Sequence, residues 1–290
     1  MASLTLDRCF MATFAPGLSD TPTPGSGRHE AGAGTIPGAR GETLIERLDP
    51  ARCAFFFDVD GTLIDIAPHP DAVHVPPRLL EDLAALQARC AGALALVSGR
   101  AIANLDRLFA PLRLPASGIH GAETRTRPEG EVHASVTPLP QDVRTALALI
   151  ADDLDGVMAE DKGASVAMHY RSAPAIGPVL EGLLHALVAQ SFGHLVVLPG
   201  RLVFEVKQAG HDKGLAVRAF MDVPAFAGRT PVFLGDDVTD QAGFAAVSAL
   251  GGVAVSVGRR FPGVHAVLPE PADVRALIAT LAANPIERRN

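Results

Sequence analysis

Cysteine is scarce in this chain: there are three in 290 residues, and none forms a C-x-x-C pair. An odd count without paired spacing excludes a disulfide framework and reads as reduced thiols in a cytoplasmic protein. No apolar run reaches the length of a membrane span. The first residues do not read as a secretory leader, because Asp7 and Arg8 interrupt them and no long apolar stretch follows. A surplus of positive charge is also missing. The formal net charge is -7, which argues against nucleic acid or an anionic membrane surface as the main partner. An anionic substrate would need local positive charge against that background. Apolar residues, by contrast, make up 48% of the chain and charged ones 20%. That is the composition of a soluble globular enzyme with one large or two modest domains.

Residues 1–43 are punctuated by proline and glycine and develop no apolar period, so they read as a disordered tail. After them, Cys53 to Phe57 form an uncharged run that enters Asp58-Val59-Asp60-Gly61-Thr62. A helix is expected over 77–91, and a strand over 93–97 ending in Ser98-Gly99-Arg100. Another helix should carry Ile102, Leu105, Leu108 and Phe109. This alternation predicts an α/β fold with a Rossmann-like parallel-sheet core.

Between 138 and 206 the pattern changes to a helix and a hairpin, repeated once. The second hairpin should turn at Pro199-Gly200. The repeat reads as an α+β cap inserted between core segments 44–137 and 207–290, with hinges near 138–140 and 208–210. The core resumes with a helix after Asp212-Lys213-Gly214. A strand over 231–234 then ends in Gly235-Asp236-Asp237-Val238-Thr239-Asp240, followed by a helix, a strand over 253–257 and a last helix over 272–283.

Three of these segments share one construction, an apolar strand ending abruptly in polar residues. If the strands are parallel neighbours, their ends meet at one edge, where open α/β sheets place their chemistry. Asp58, Asp60, Asp236 and Asp237 then converge, with Asp240 near them. Two carboxylates about 4 Å apart repel by roughly 4 kcal/mol at an effective dielectric near 20. Such a group needs protons or a cation, and oxygen-only donors favour Mg²⁺ together with a phosphate.

The D-x-D-G-T stretch at Asp58–Thr62 resembles the first motif of the haloacid dehalogenase-like phosphatases. Ser98, Lys213 and Gly235-Asp236-Asp237 follow in the order of that family's remaining motifs. The resemblance implies that Asp58 is the nucleophile and Asp60 the general acid/base, with Ser98 and Lys213 on the phosphoryl oxygens. It also implies Mg²⁺ held by Asp58, Asp60 through its backbone carbonyl, Asp236 and Asp237.

Further stretches resemble the trehalose-6-phosphate phosphatases. They include Gly118-Ile119-His120-Gly121-Ala122-Glu123, Glu160-Asp161-Lys162-Gly163 and Gly200-Arg201-Leu202-Val203-Phe204-Glu205-Val206-Lys207. This likeness implies substrate contacts from Arg100 and His120 on core loops and from Glu160, Lys162 and Glu205 on the cap. Gln241 departs from the pattern, since the family carries Glu there. The expected protein is a monomeric, Mg²⁺-dependent hydrolase of a small sugar phosphate. Competing readings are a phosphatase for another sugar phosphate, a phosphomutase, and a non-catalytic sugar-phosphate sensor. The intact Asp58 and Asp60 speak against the sensor.

Overall fold

The computed structural model describes residue 45 and residues 48–66 and 73–283. The expected tail and Cys9 lie outside these residues, while Cys53 and Cys90 are buried free thiols. The described chain opens with β1 (Cys53–Phe57), α1 (Pro77–Arg89), β2 (Leu94–Val97) and α2 (Ile102–Leu108). Short strands β3 (Ala116–Gly118), β4 (Glu123–Arg125) and β5 (His133–Ala134) follow. Next come α3 (Gln141–Asp153), β6 (Met158–Asp161), β7 (Ser165–His169), α4 (Gly177–Ala189), β8 (Leu195–Gly200) and β9 (Val203–Gln208). The last part holds α5 (Lys213–Met221), β10 (Thr230–Gly235), α6 (Gln241–Ala249), β11 (Val253–Val257), β12 (Ala266–Leu268) and α7 (Pro271–Ala283).

Eight strands form one sheet in the order β12-β11-β10-β1-β2-β3-β4-β5, parallel from β12 to β3, with β4 and β5 added at the far edge by antiparallel pairing. The expected α/β core with a parallel sheet is therefore what forms. β1 shows why no polar alternation appears in its sequence. Phe55 and Phe57 stack on one face with ring centroids 6.0 Å apart, while Phe56 on the other meets Phe220 at 5.9 Å and Phe226 at 5.6 Å. A central parallel strand has both faces covered, so every side chain must be apolar. Helix α1 begins at Pro77, whose missing N–H matters least in a first turn, and buries Leu79, Leu83 and Leu86. It packs on α7, and α5 packs on α6.

The other four strands form an antiparallel sheet ordered β6-β7-β9-β8. Val166 and Met168 of β7 join Phe204 and Val206 of β9 in an apolar cluster with Leu147 of α3 and Leu180 and Leu184 of α4. Tyr170 stacks on Phe204 at 5.1 Å. Because side chains alternate along a strand, Ser165, Ala167, Glu205 and Lys207 take the opposite face. This is the cap, and that polar-bearing face meets the edge of the core where β1 and β2 end.

Two features differ from expectation. The β8–β9 turn is not Pro199-Gly200: those residues pair with Phe204 and Val203, and the two-residue turn is Arg201-Leu202. β8 lies at the edge of its sheet, where proline's missing N–H costs no ladder bond, so Pro199 continues the strand. Strand β12 carries only three residues before Pro269, too few for any period to show.

Candidate active site

The register of the parallel strands builds the first half of the site. Phe57 lies opposite Leu234 on one side and Leu96 on the other, so the three strands stop nearly level. The first residues beyond them keep the ladder going: Asp58 N–H donates to Leu234 O at 2.9 Å and Ser98 N–H to Ser117 O at 2.9 Å. The chain then turns at Gly61 with φ +82°, and a Cβ there would run into the Asp236 carboxylate. Both the backbone and the close approach require glycine.

Lys213 opens α5, whose start is capped by the Asp212 side chain accepting from Leu215 N–H at 2.7 Å. Its buried ammonium donates to Asp58 Oδ1 at 2.7 Å and to Asp240 Oδ1 at 2.6 Å. Burial alone would strip its proton, but Asp240 and Asp58 outweigh that and hold it charged well above the usual lysine range. Burial pushes the Asp58 carboxyl up, against the pull of Lys213. The Asp236 carboxyl is pushed up as well, by burial and then by Asp58 and Asp240.

Carboxylate oxygens of Asp58, Asp236 and Asp240 lie within 4.8 Å of one another. This hard, oxygen-only set, in which the Asp58 and Asp236 carboxyls are both pushed up, fits a small divalent cation. Asp240 is already committed, because its second oxygen accepts the N–H groups of Asp236 at 3.0 Å and Asp237 at 2.9 Å. It ties Lys213 to the acidic turn. Asp237 is not part of that trio; its Oδ1 accepts from Val238 N–H at 2.7 Å and pairs with Arg259 at 3.3 Å. The Asp60 side chain is gripped by the Arg100 fork, two bonds of 2.6 Å each.

The second half of the site comes from the cap. Glu205 is buried on β9. Its Oε1 accepts from Ser165 Oγ at 2.6 Å, and its Oε2 lies 3.0 Å from His120 Nε2 and 3.3 Å from Lys162 Nζ. Burial would raise its carboxyl, but Lys162, His120 and Ser165 together hold it far below the usual range. Lys162 also donates to Gly99 O at 3.1 Å, which fastens the cap to the Ser98 loop. Glu160 pairs with His169 at 2.9 Å, and that bond keeps its carboxyl low despite partial burial.

His120 reaches Glu205 from the core by an uncommon path. Ile119 and His120 both have positive φ, 47° and 51°. Non-glycine residues in this region cost about 1–3 kcal/mol each and persist only when other bonds enforce them. Here Ile119 N–H donates to Arg100 O and His120 N–H to Ser98 O, both at 3.0 Å.

All eleven side chains expected at the site line one cleft of about 170 Å³: Asp58, Asp60, Ser98, Arg100, His120, Glu160, Lys162, Glu205, Lys213, Asp236 and Asp237. Sequence reasoning gave no role to several residues that hold the site in shape. Thr62 Oγ1 sits 3.4 Å from both Asp58 and Asp236, and Glu123 accepts from Ile102 N–H at 2.8 Å beside the Arg100 loop. Both lie inside motifs already singled out. Ser165 could be found only from the register of β7 against β9.

The trehalose-phosphatase family model matches residues 56–263, from strand β1 through the cap to the turn after β11. A probable trehalose-phosphate phosphatase of Sinorhizobium fredii is 41% identical over 249 residues, covering 84% of this chain and 94% of that protein. The trehalose-6-phosphate phosphatase of Escherichia coli is 43% identical over 210 residues, covering 72% and 78%. The C-terminal domain of the Candida albicans trehalose-6-phosphate phosphatase shares the fold, with a TM-score of 0.75 and 22% identity over 87% of this chain and 99% of that one. With matches of this length on both catalytic edge and cap, the chain belongs to the trehalose-phosphatase family.

Proposed function

We propose that the chain hydrolyses trehalose 6-phosphate to trehalose and inorganic phosphate, with Mg²⁺ as cofactor. One observation carries this reading: Asp58 and Lys213 face each other in a cleft whose opposite wall is the polar face of the cap. An Asp58 carboxylate oxygen attacks phosphorus, the bond from phosphorus to the sugar oxygen breaks, and an aspartyl-phosphate forms. Asp60 gives its proton to the departing sugar oxygen. It then takes a proton from the water that attacks the aspartyl-phosphate, releasing phosphate and restoring Asp58. The Arg100 fork occupies both Asp60 oxygens, so Asp60 works only after that clamp opens, and Arg100 is then free to bind substrate. Ser98 and Lys213 steady the phosphoryl oxygens from the core side.

Asp58, Asp236 and the backbone carbonyl of Asp60 would hold Mg²⁺, which when bound offsets the repulsion between the nucleophile and the phosphate dianion. Asp237 supports the turn beside them. Glu160, Lys162, His120 and Glu205 offer acceptors and donors suited to vicinal hydroxyls.

The test is phosphate release from trehalose 6-phosphate, sucrose 6-phosphate and glucose 6-phosphate, with magnesium chloride or EDTA. Trehalose 6-phosphate should be strongly preferred and EDTA should abolish turnover. Asp58→Asn should lower kcat on the order of 10⁴-fold or more while circular dichroism stays unchanged. Preference for another ester would keep the catalytic edge and discard the reading of the cap. No turnover of any ester by the folded protein would point to a sensor.

A further inference from the structure

The hairpin β8–β9 brings the cap onto the acidic turn of the core. β8 packs against residues 238–240, and a Cβ placed on Gly200 would lie 3.3 Å from Asp237 Oδ2. The next residue, Arg201, is exposed at the tip of the hairpin. It lines the catalytic cleft and also a second cleft of about 740 Å³, and the two share Ile66, Gly200, Arg201, Asp236 and Asp237. Arg201 thus stands on the seam between them, beside the phosphoryl end of the site.

Its electrostatic situation differs from that of its neighbours. Arg100 is held by Asp60, Lys162 by Glu205, and Lys213 by Asp58 and Asp240. Asp237, the core acid that approaches Gly200, is taken by Arg259 at 3.3 Å. Arg201 makes no hydrogen bond or ion pair among the described residues. A guanidinium at the end of a two-residue turn has little freedom in its backbone. Its planar fork matches two oxygens of a phosphate, and phosphate is the anion the proposed chemistry brings to this edge.

We propose that Arg201 is the cap's contact with the phosphoryl dianion, opposite Lys213 and Ser98, so that closure of the cap is tied to the phosphate rather than to the sugar. This rests on the phosphatase reading. Of the two products, inorganic phosphate keeps the charge Arg201 binds and the sugar does not. The residue therefore contributes to holding substrate and phosphate, with no part in holding the neutral sugar.

The experiment uses the full chain, wild type beside Arg201→Met and Arg201→Lys, with magnesium chloride present. It measures kcat and KM for trehalose 6-phosphate, inhibition by inorganic phosphate, inhibition by trehalose, and Tm. In Arg201→Met, KM and the phosphate inhibition constant should both rise roughly 10- to 100-fold, between the worth of a screened surface pair and that of a buried donor. Trehalose inhibition and Tm should stay unchanged, and lysine should recover part of the loss. Unchanged phosphate inhibition, or equal weakening of phosphate and trehalose, would overturn the assignment. If the wild type hydrolyses no ester, the phosphatase reading fails by itself. Calorimetric titration of inorganic phosphate into wild type and Arg201→Met then judges Arg201 separately. Tighter binding by the wild type supports it, and equal or absent binding overturns it.

Discussion

The core edge and the cap face use β-strands in opposite ways. At the core edge Asp58, Ser98 and Asp236 each follow a strand that is buried throughout but for Thr230 at the start of β10, and only the strand's end reaches the cleft. In the cap, Glu205 lies within β9 between Phe204 and Val206, and Ser165 opens β7 beside Val166; these apolar neighbours face the other way into the cap's own cluster. The core site is therefore fixed by where strands stop. The cap site is fixed by which face a residue takes. An edge of strand ends has no slack, because the same residues anchor the sheet and aim the carboxylates. A sheet face can exchange its polar members while the cluster behind it stays intact.

The largest expected effect tests the rigidity of the edge. Gly61→Ala needs φ +82° from a residue with a Cβ and displaces Asp236. It should lower kcat/KM about 100-fold or more for trehalose 6-phosphate and for a small aryl phosphate alike. Retention of near-normal activity would show that the edge has play after all.

Glu205→Gln should act on one substrate only. KM for trehalose 6-phosphate should rise roughly 10- to 100-fold through loss of a charged acceptor, while aryl phosphate turnover stays near the wild-type value. Loss on both substrates would mean that the cap shapes the catalytic edge itself.

A smaller effect is expected at Ala167, which lies across the sheet between Glu160 and Glu205 in one row. Its methyl is buried between them, so a larger side chain would have to push into the space beside the two carboxylates. Ala167→Leu should raise KM for the disaccharide ester by about 10-fold and leave the aryl phosphate unaffected. Steady-state kinetics on the two substrates decides it.

The smallest effect is one of pH. The Glu205 carboxyl is held below its ordinary value of about 4.3. The unfolded chain then binds more protons than the native one as the solution is acidified. The stability this group contributes is complete above the ordinary value and is lost as pH falls towards the native one. Between about pH 5 and pH 3, Tm of the wild type should fall more steeply than that of Glu205→Gln. Equal slopes in scanning calorimetry would mean that Lys162, His120 and Ser165 do not hold the carboxylate as described.

The same contrast explains what could be read from the sequence. Strand ends announce themselves, because an apolar run meets aspartate or serine at a definite residue. β1, β2 and β10 with their polar ends were legible for that reason. The cap's hairpins were legible as elements, but Ser165 and Ala167 are placed opposite Lys207 and Glu205 by pairing across some forty residues of chain, which no local pattern carries. Pro199-Gly200 misled because its turn signal assumes an interior strand, while β8 lies at an edge. Asp237 and Asp240 are alike in sequence. Only the bonds from Lys213 and two backbone N–H groups single out Asp240 as the member of the buried trio. The strained Ile119-His120 step had no sequence signal beyond the glycines on either side.

The stacked pair Tyr170 and Phe204 has an optical consequence. The chain has one tyrosine and no tryptophan, so its intrinsic ultraviolet emission beyond phenylalanine comes from a single ring, and that ring lies in the cap. Melting followed by this emission reports the cap alone, while far-ultraviolet dichroism reports every helix and strand. Without any added label, the protein carries a fluorophore that records whether its two sheets come apart together or in turn.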